Sequence, residues 1–312
     1  MLSSVILLGP QRHVPIVKPA LETLVPPKDT RPVAAVTAGW EERELEDQEL
    51  RDHVRRPVTN LEVWGRVERI FDQDPQLLTA MRQRHDTLRS VQELYRLRLD
   101  GLMEAANELF RRAGDERLLA PEREDAMAML QQLDHQHAQR IASIHAEFDA
   151  RWRPQDRTAV VRERKAIQTL LADASCLLVA GGHIAVLLHR MRLFDLLGLH
   201  GDRPVIAWSA GAMALCERIV LFHDAPPQGS SFAEVMEAGL GLARGVVALP
   251  HARRRLSSHE PRSMQVFAAR FAPALCVLLD DGSRIDWRGR RWVGTAGTRC
   301  LSTTGHVEEV VR

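Results

Sequence analysis

Two kinds of hydrophobic pattern divide this chain. Short continuous apolar runs, each closed by Gly, Pro or Ser, occur near both ends: Val5 to Pro10, Val33 to Gly39, Cys176 to Ala180 before Gly181-Gly182, and Val205 to Trp208 before Ser209. Runs of this length read as strands buried on both faces. Between them stand stretches with apolar residues at helical spacing. Val14 to Leu24 carries Ile16, Ala20 and Leu24 on one face. Thr158 to Ala172 and Ile184 to Leu197 follow the same period, with Gly198 placed as a C-cap. Strand, helix, strand at this spacing predicts a parallel α/β sheet.

From about Leu50 to Pro154 glycine almost vanishes, and Glu, Arg, Gln, Leu and Ala dominate. Gln76 to Ala113 repeats Met81, Leu88, Tyr95, Leu102 and Leu109 seven apart, with Val91, Leu99 and Ala106 between them. Glu122 to Trp152 carries Ala126, Leu130, Leu133, His137, Ile141, Ile144 and Phe148. Each predicts an amphipathic helix with one apolar stripe. Gly114-Asp115 and Pro121 mark the turn between them, with Pro121 expected at a first helical position. A shorter helix is expected around Leu61 to Phe71. The domain reading is therefore a discontinuous α/β domain over 1–50 and 155–312, interrupted by a helical hairpin subdomain over 51–154. The first segment alone has too few strands to close a core.

Composition changes this picture little. Lys+Arg is 42 against Asp+Glu 41 in 312 residues, so no net field points to nucleic acid or an acidic membrane. Cys176, Cys216, Cys276 and Cys300 are far apart, without the paired spacing of a zinc site or a disulfide framework. His135, His137 and His145 show no dominant carboxylate–histidine pair at helical spacing, so no metal is expected. His137 lies in the apolar stripe and reads as a satisfied seam residue. No run approaches a membrane span. The apolar run Ser3 to Pro10 is too short, and lacks a preceding basic segment, for a signal peptide. The expected compartment is cytoplasmic. A long apolar stripe is suited to burial against a second copy, which makes a homodimer the expected assembly.

Chemistry concentrates where the strands end. In open α/β sheets that carboxyl edge is where ligands bind. Trp40-Glu41-Glu42-Arg43-Glu44 follows one strand there, and a solvated charged helix start explains it equally well. The sequence Trp208-Ser209-Ala210-Gly211-Ala212 is the more informative case. A serine between a buried strand and a small-residue helix start is lifted out of the sheet, as in a nucleophile elbow. An ordinary N-cap serine is the competing explanation. A serine nucleophile needs a base, an orienting acid and oxyanion donors. His251 follows the apolar run Gly245 to Pro250 and is expected at a strand's carboxyl end on the elbow's edge. Asp224 and Asp281 each follow an apolar run and are both acid candidates. The N–H groups of Gly182 and Ala210 are the oxyanion candidates.

Taken in order, "VAGGHIAVLLHRM", "PVIAWSAGAMAL", "HDAPP", "GLGLARGVVALPHARRR" and "VLLDDGSRI" resemble the serine peptidase family of dipeptidase E and cyanophycinase, in the class I glutamine amidotransferase-like superfamily. The resemblance covers about half the chain, from Ala174 onward. It implies a flavodoxin-like α/β fold, with a mostly parallel sheet flanked by helices, and no cofactor. It also implies Ser209 as nucleophile, His251 as base, and Gly182 and Ala210 as the oxyanion hole. Asp281 falls where the family has glutamate, and Asp224 where dipeptidase E has an aspartate, so the triad acid stays open. His183 stands where the family has Asn, Asp or a related polar residue. Family members favour aspartyl substrates held partly by arginine, which brings in Arg253 and Arg255, alongside His183, as substrate-binding candidates. Superfamily amidotransferases use cysteine where Ser209 stands, so ammonia release from glutamine is not expected.

The sequence-level reading is a serine hydrolase cleaving a peptide or isopeptide bond in a peptide or small-molecule substrate. The alternative is a non-catalytic binding or scaffold protein that keeps the fold and uses the helical arm for interactions, motivated by the shortened acid and by His183. An esterase on the same triad is a variant of the first reading. An α/β-hydrolase fits less well, because Ala207 replaces the first elbow glycine.

Overall fold

A computed structural model describes residues 4–223, 232–256, 261–288 and 290–310. The first strands and helices are β1 (Val5–Leu8), α1 (Val17–Leu24), β2 (Val33–Val36), α2 (Gln48–Val54), β3 (Val58–Asn60) and α3 (Val63–Gln73). The helical arm is α4 (Pro75–Arg111) and α5 (Glu116–Trp152), followed by α6 (Thr158–Ala172). Next come β4 (Leu177–Val179), α7 (Ile184–Leu193), α8 (Leu196–His200), β5 (Val205–Trp208), α9 (Ala210–Leu215), β6 (Arg218–Leu221) and β7 (Glu234–Ala238). The remainder is β8 (Val246–Pro250), α10 (Ala252–Arg255), α11 (Pro261–Phe271), β9 (Leu275–Leu279), β10 (Arg284–Arg288), β11 (Arg291–Gly294), β12 (Arg299–Leu301) and β13 (Val307–Glu309).

The apolar runs form one seven-stranded sheet in the order β11-β10-β1-β5-β4-β2-β3. Its β1, β5, β4, β2 and β3 are parallel neighbours, while β10 and β11 return antiparallel. β1, β2, β4 and β5 are buried along their whole length, as strands covered on both faces must be. Strands from before and after the helical arm are interleaved in this sheet: β5 and β4 lie between β1 and β2, with Ala35 opposite Leu178 and Leu178 opposite Ile206. Residues 51–74, read with the helical segment from their low glycine content, contain β3, which pairs with β2, and α3, whose Val63, Val67 and Ile70 join the main core. The hairpin that stands apart from the sheet is α4 and α5.

Two local expectations change. Pro121 lies inside α5, which begins earlier, at Glu116, because the Asp115 carboxylate accepts the Arg117 N–H and caps that end. Pro121 sits past the first turn, so its missing N–H leaves the Arg117 carbonyl without an intrahelical donor. The helix expected to reach Leu197 breaks at Phe194, and Gly198 falls within α8 rather than capping α7. The Asp195 carboxylate accepts the Gly198 N–H and restarts the chain.

A second, four-stranded sheet runs β13-β12-β9-β8, and β6 and β7 form a separate ribbon. His251 follows β8 in this smaller sheet, so the base candidate and the elbow stand on carboxyl ends of two sheets rather than on one edge. The reason is pairing: β5 has β1 and β4 as neighbours, while β8 pairs in parallel with β9, with Pro250 opposite Leu279.

The arm is fastened to this body by a buried polar knot. Arg270 of α11 is 1% exposed and grips the Asp134 carboxylate of α5 through Nε at 2.8 Å and Nη2 at 2.7 Å. The Tyr95 hydroxyl of α4 donates to the same carboxylate at 2.7 Å. His137 stacks on Tyr95, with ring centroids 4.0 Å apart, and pairs with Gln92, so it is the satisfied seam residue expected.

Candidate active site

The turn after β5 holds Ser209 at φ 51° and ψ −122°. Non-glycine residues rarely adopt positive φ, and such strain costs on the order of 1–3 kcal/mol. The surroundings enforce it: the Ser209 N–H donates to the Leu8 carbonyl at 3.2 Å, and its own carbonyl accepts the Met213 N–H at 3.2 Å. The hydroxyl makes no capping bond to α9. An N-cap serine combines an extended backbone with that bond, so the N-cap explanation fails on both counts. The small residues have a packing reason. A Cβ on Gly181 would lie 2.8 Å from the Ser209 Cβ, and one on Gly182 would lie 2.2 Å from the Gly39 carbonyl oxygen. The end of β4 therefore passes directly beside the serine, and a side chain at either glycine forces its neighbours to shift.

Ser209 opens into a cleft of about 870 Å³ whose lining includes Gly182, His183, Ala210, His251 and Arg255. Ala210 begins α9, so its N–H lies among the first-turn donors without an intrahelical acceptor. Gly182, at φ 116°, is exposed. His183 lines the cleft and also caps α7, its Nδ1 accepting the Val186 N–H at 3.3 Å.

His251 takes a left-handed backbone, with its N–H on the Leu279 carbonyl at 3.1 Å. Burial, and then the Arg255 charge, push its pKa below the usual histidine value; Asp281 pulls the other way, while Arg254 lowers it further and Asp280 raises it. The ring is therefore neutral at pH 7, as a proton acceptor must be. Among the described residues no hydrogen bond joins His251 to Ser209 or Asp281. Catalytic hydrogen bonds are often long before substrate binds. Asp281 is exposed and acts on His251 through its charge. Asp224 lies outside the described residues.

The two arginine candidates separate. Arg255 faces the cleft with its guanidinium over the Phe222 ring at 5.8 Å, and burial lowers its pKa. Arg253 does not line the cleft. Its backbone N–H donates to Asp280 Oδ1 at 2.9 Å, and the Nε of its exposed side chain lies 3.6 Å from Oδ2. Arg299 holds the same carboxylate at 3.0 Å. The cleft also gathers Trp40 and Arg43, and three residues that the sequence did not single out, Gln11, Arg12 and His53. Trp40 and Arg43 belong to the charged stretch after β2, and their position at a strand's carboxyl end was the available signal.

The model of peptidase family S51 matches residues 129–293, just over half of the chain. The chain belongs to peptidase family S51. It is accordingly a serine peptidase, and the match takes in Gly182, Ser209, His251 and Asp281 together with most of α5. No curated protein matches the chain. Among solved structures, a peptidase from an acI-B1 actinobacterium is 13% identical, with 99% of this chain and 95% of that one covered at a TM-score of 0.47. A putative peptidase E protein from Listeria monocytogenes EGD-e is 10% identical, with 95% and 98% covered at a TM-score of 0.45. No helix among the described residues is long and apolar enough to cross a membrane.

Proposed function

We propose that this S51 peptidase cleaves a peptide or isopeptide bond with Ser209 as nucleophile and His251 as base. The observation that carries the reading is the strained Ser209 backbone, with a hydroxyl not spent on capping α9, in the cleft that His251 also lines. His251 takes the Ser209 hydroxyl proton as Oγ bonds to the scissile carbonyl carbon. The N–H groups of Gly182 and Ala210 stabilise the resulting oxyanion. The intermediate collapses as the C–N bond breaks, and His251 passes its proton to the departing amine. Water, deprotonated by His251, then releases the acyl group and restores Ser209.

Asp281 is the acid assigned here to the imidazolium, acting by charge from the solvent side; Asp224 is the competing assignment. Arg255, half-buried in the cleft without a carboxylate partner among the described residues, suits an acidic substrate group. No metal or organic cofactor takes part in this scheme.

The test is Ser209→Ala with a fluorophosphonate probe. The wild-type protein is expected to label and to hydrolyse members of a panel of aspartyl and β-aspartyl dipeptides, and the variant to do neither. Labelling that persists unchanged in the variant removes Ser209 as the nucleophile.

A further inference from the structure

Away from the catalytic cleft, a cavity of about 350 Å³ lies where the helical arm meets the α/β body. Three side chains from separate elements converge on its wall: His145 from α5, His189 from α7 and Glu237 from β7. His145 Nε2 lies 2.8 Å from Glu237 Oε2, and His189 Nε2 lies 2.6 Å from Oε1. One donor atom from each residue falls within 4.8 Å of the other two. Zinc held by nitrogen and carboxylate oxygen at about 2.0–2.2 Å needs ligands about 3.4 Å apart. Small movements of these side chains meet that requirement.

We propose that His145, His189 and Glu237 form a zinc site that fastens the helical arm to the α/β body.

Both charge state and access suit it. Burial opposes the Glu237 charge, but hydrogen bonds from His145 and His189, and the charge of Arg192, override it and hold the carboxyl well below the usual range. Imidazole nitrogen and carboxylate oxygen are donor types that zinc takes. The cavity leaves room for a fourth ligand from solvent, and His145 brings the arm into the coordination sphere. Arg192 donates to Glu237 Oε2 and to the Ala238 carbonyl. A carboxylate has lone pairs for both a guanidinium and a metal, and ligating carboxylates are commonly hydrogen-bonded in this way. Arg84, with its guanidinium 4.1 Å above the Phe148 ring, lines the same cavity and favours an anionic fourth ligand. No residue of this site takes part in the proposed hydrolysis, so the two readings stand or fall separately.

The experiment uses the full chain after chelator treatment. Zinc titrated by calorimetry is expected to bind at about one equivalent and to raise the melting temperature. Cobalt substituted for zinc is expected to give the intense visible band of four-coordinate nitrogen–oxygen ligation. The His145→Ala and Glu237→Gln variants are expected to bind zinc about 100-fold more weakly or worse, since losing even an outer partner of a metal ligand costs about 10–100-fold. Cooperative urea unfolding of both variants should report intact folding. The proposal is overturned if wild-type protein gives no such cobalt band, which requires no variant to fold. It is equally overturned if the folded variants bind zinc as tightly as wild type.

Discussion

Gly181→Ala tests the site without removing any reacting group. The added Cβ would lie 2.8 Å from the Ser209 Cβ, with the Trp208 carbonyl oxygen at 3.4 Å and the Ala210 nitrogen at 3.5 Å. Carbon atoms pack best at about 3.5–4.0 Å, so the shortfall is about 0.7–1.2 Å. The other two neighbours are backbone atoms of the same turn, so relief requires the turn or the end of β4 to move by roughly that amount. Overpacking costs about 1–3 kcal/mol, offset by about 0.4–1 kcal/mol from the reduced freedom of the unfolded chain. The expected net loss of stability is thus about 0–2.5 kcal/mol, and the protein stays folded. Activity responds more steeply, because a misplacement of about 1 Å at reacting atoms costs about 100-fold. That is about 2.7 kcal/mol of transition-state stabilisation. The assay is the second-order rate of fluorophosphonate labelling, with kcat/KM on any cleaved dipeptide, beside urea unfolding of the same sample. A folded variant that labels at the wild-type rate refutes the reasoning, since the reacting serine would then not be the one against Gly181.

Two further outcomes follow from buried charge. Arg270→Ala leaves the Asp134 carboxylate, 3% exposed, without its cation, and is expected to cost about 3–5 kcal/mol in urea unfolding, much of it recovered by also changing Asp134 to Asn. For His251, burial and the neighbouring Arg255 lower the pKa, so the base form persists below the ordinary value of about 6.5. The acid limb of kcat/KM is expected to have its midpoint below that pH, with activity lost as pH falls through it; a midpoint clearly above it would remove His251 as the titrating base.

Much of the site was legible because its signals are local. The run Val205 to Trp208, the serine and the small residues after it are consecutive, and together they encode a buried strand, a sharp turn and a close approach. The same holds for α6, whose bounds Thr158–Ala172 match the periodicity, since helix formation depends on residues three and four apart. Which strands pair is a different matter. Nothing beside His251 in sequence says that β8 joins β9 in a second sheet, or that Arg255 is the arginine that lines the cleft. The arm's stripes predicted two amphipathic helices, but not that Tyr95, Asp134 and Arg270 would close one buried network. His145 lacked a partner at helical spacing because its neighbours lie 44 and 92 residues further along the chain, at His189 and Glu237. Local pattern was enough for the buried strands, most of the helices and the serine elbow, since backbone preference and hydrophobic period act over a few residues. Which distant side chains share a cleft or a cavity emerges only with packing, because those contacts exist only after the sheets and the arm have come together.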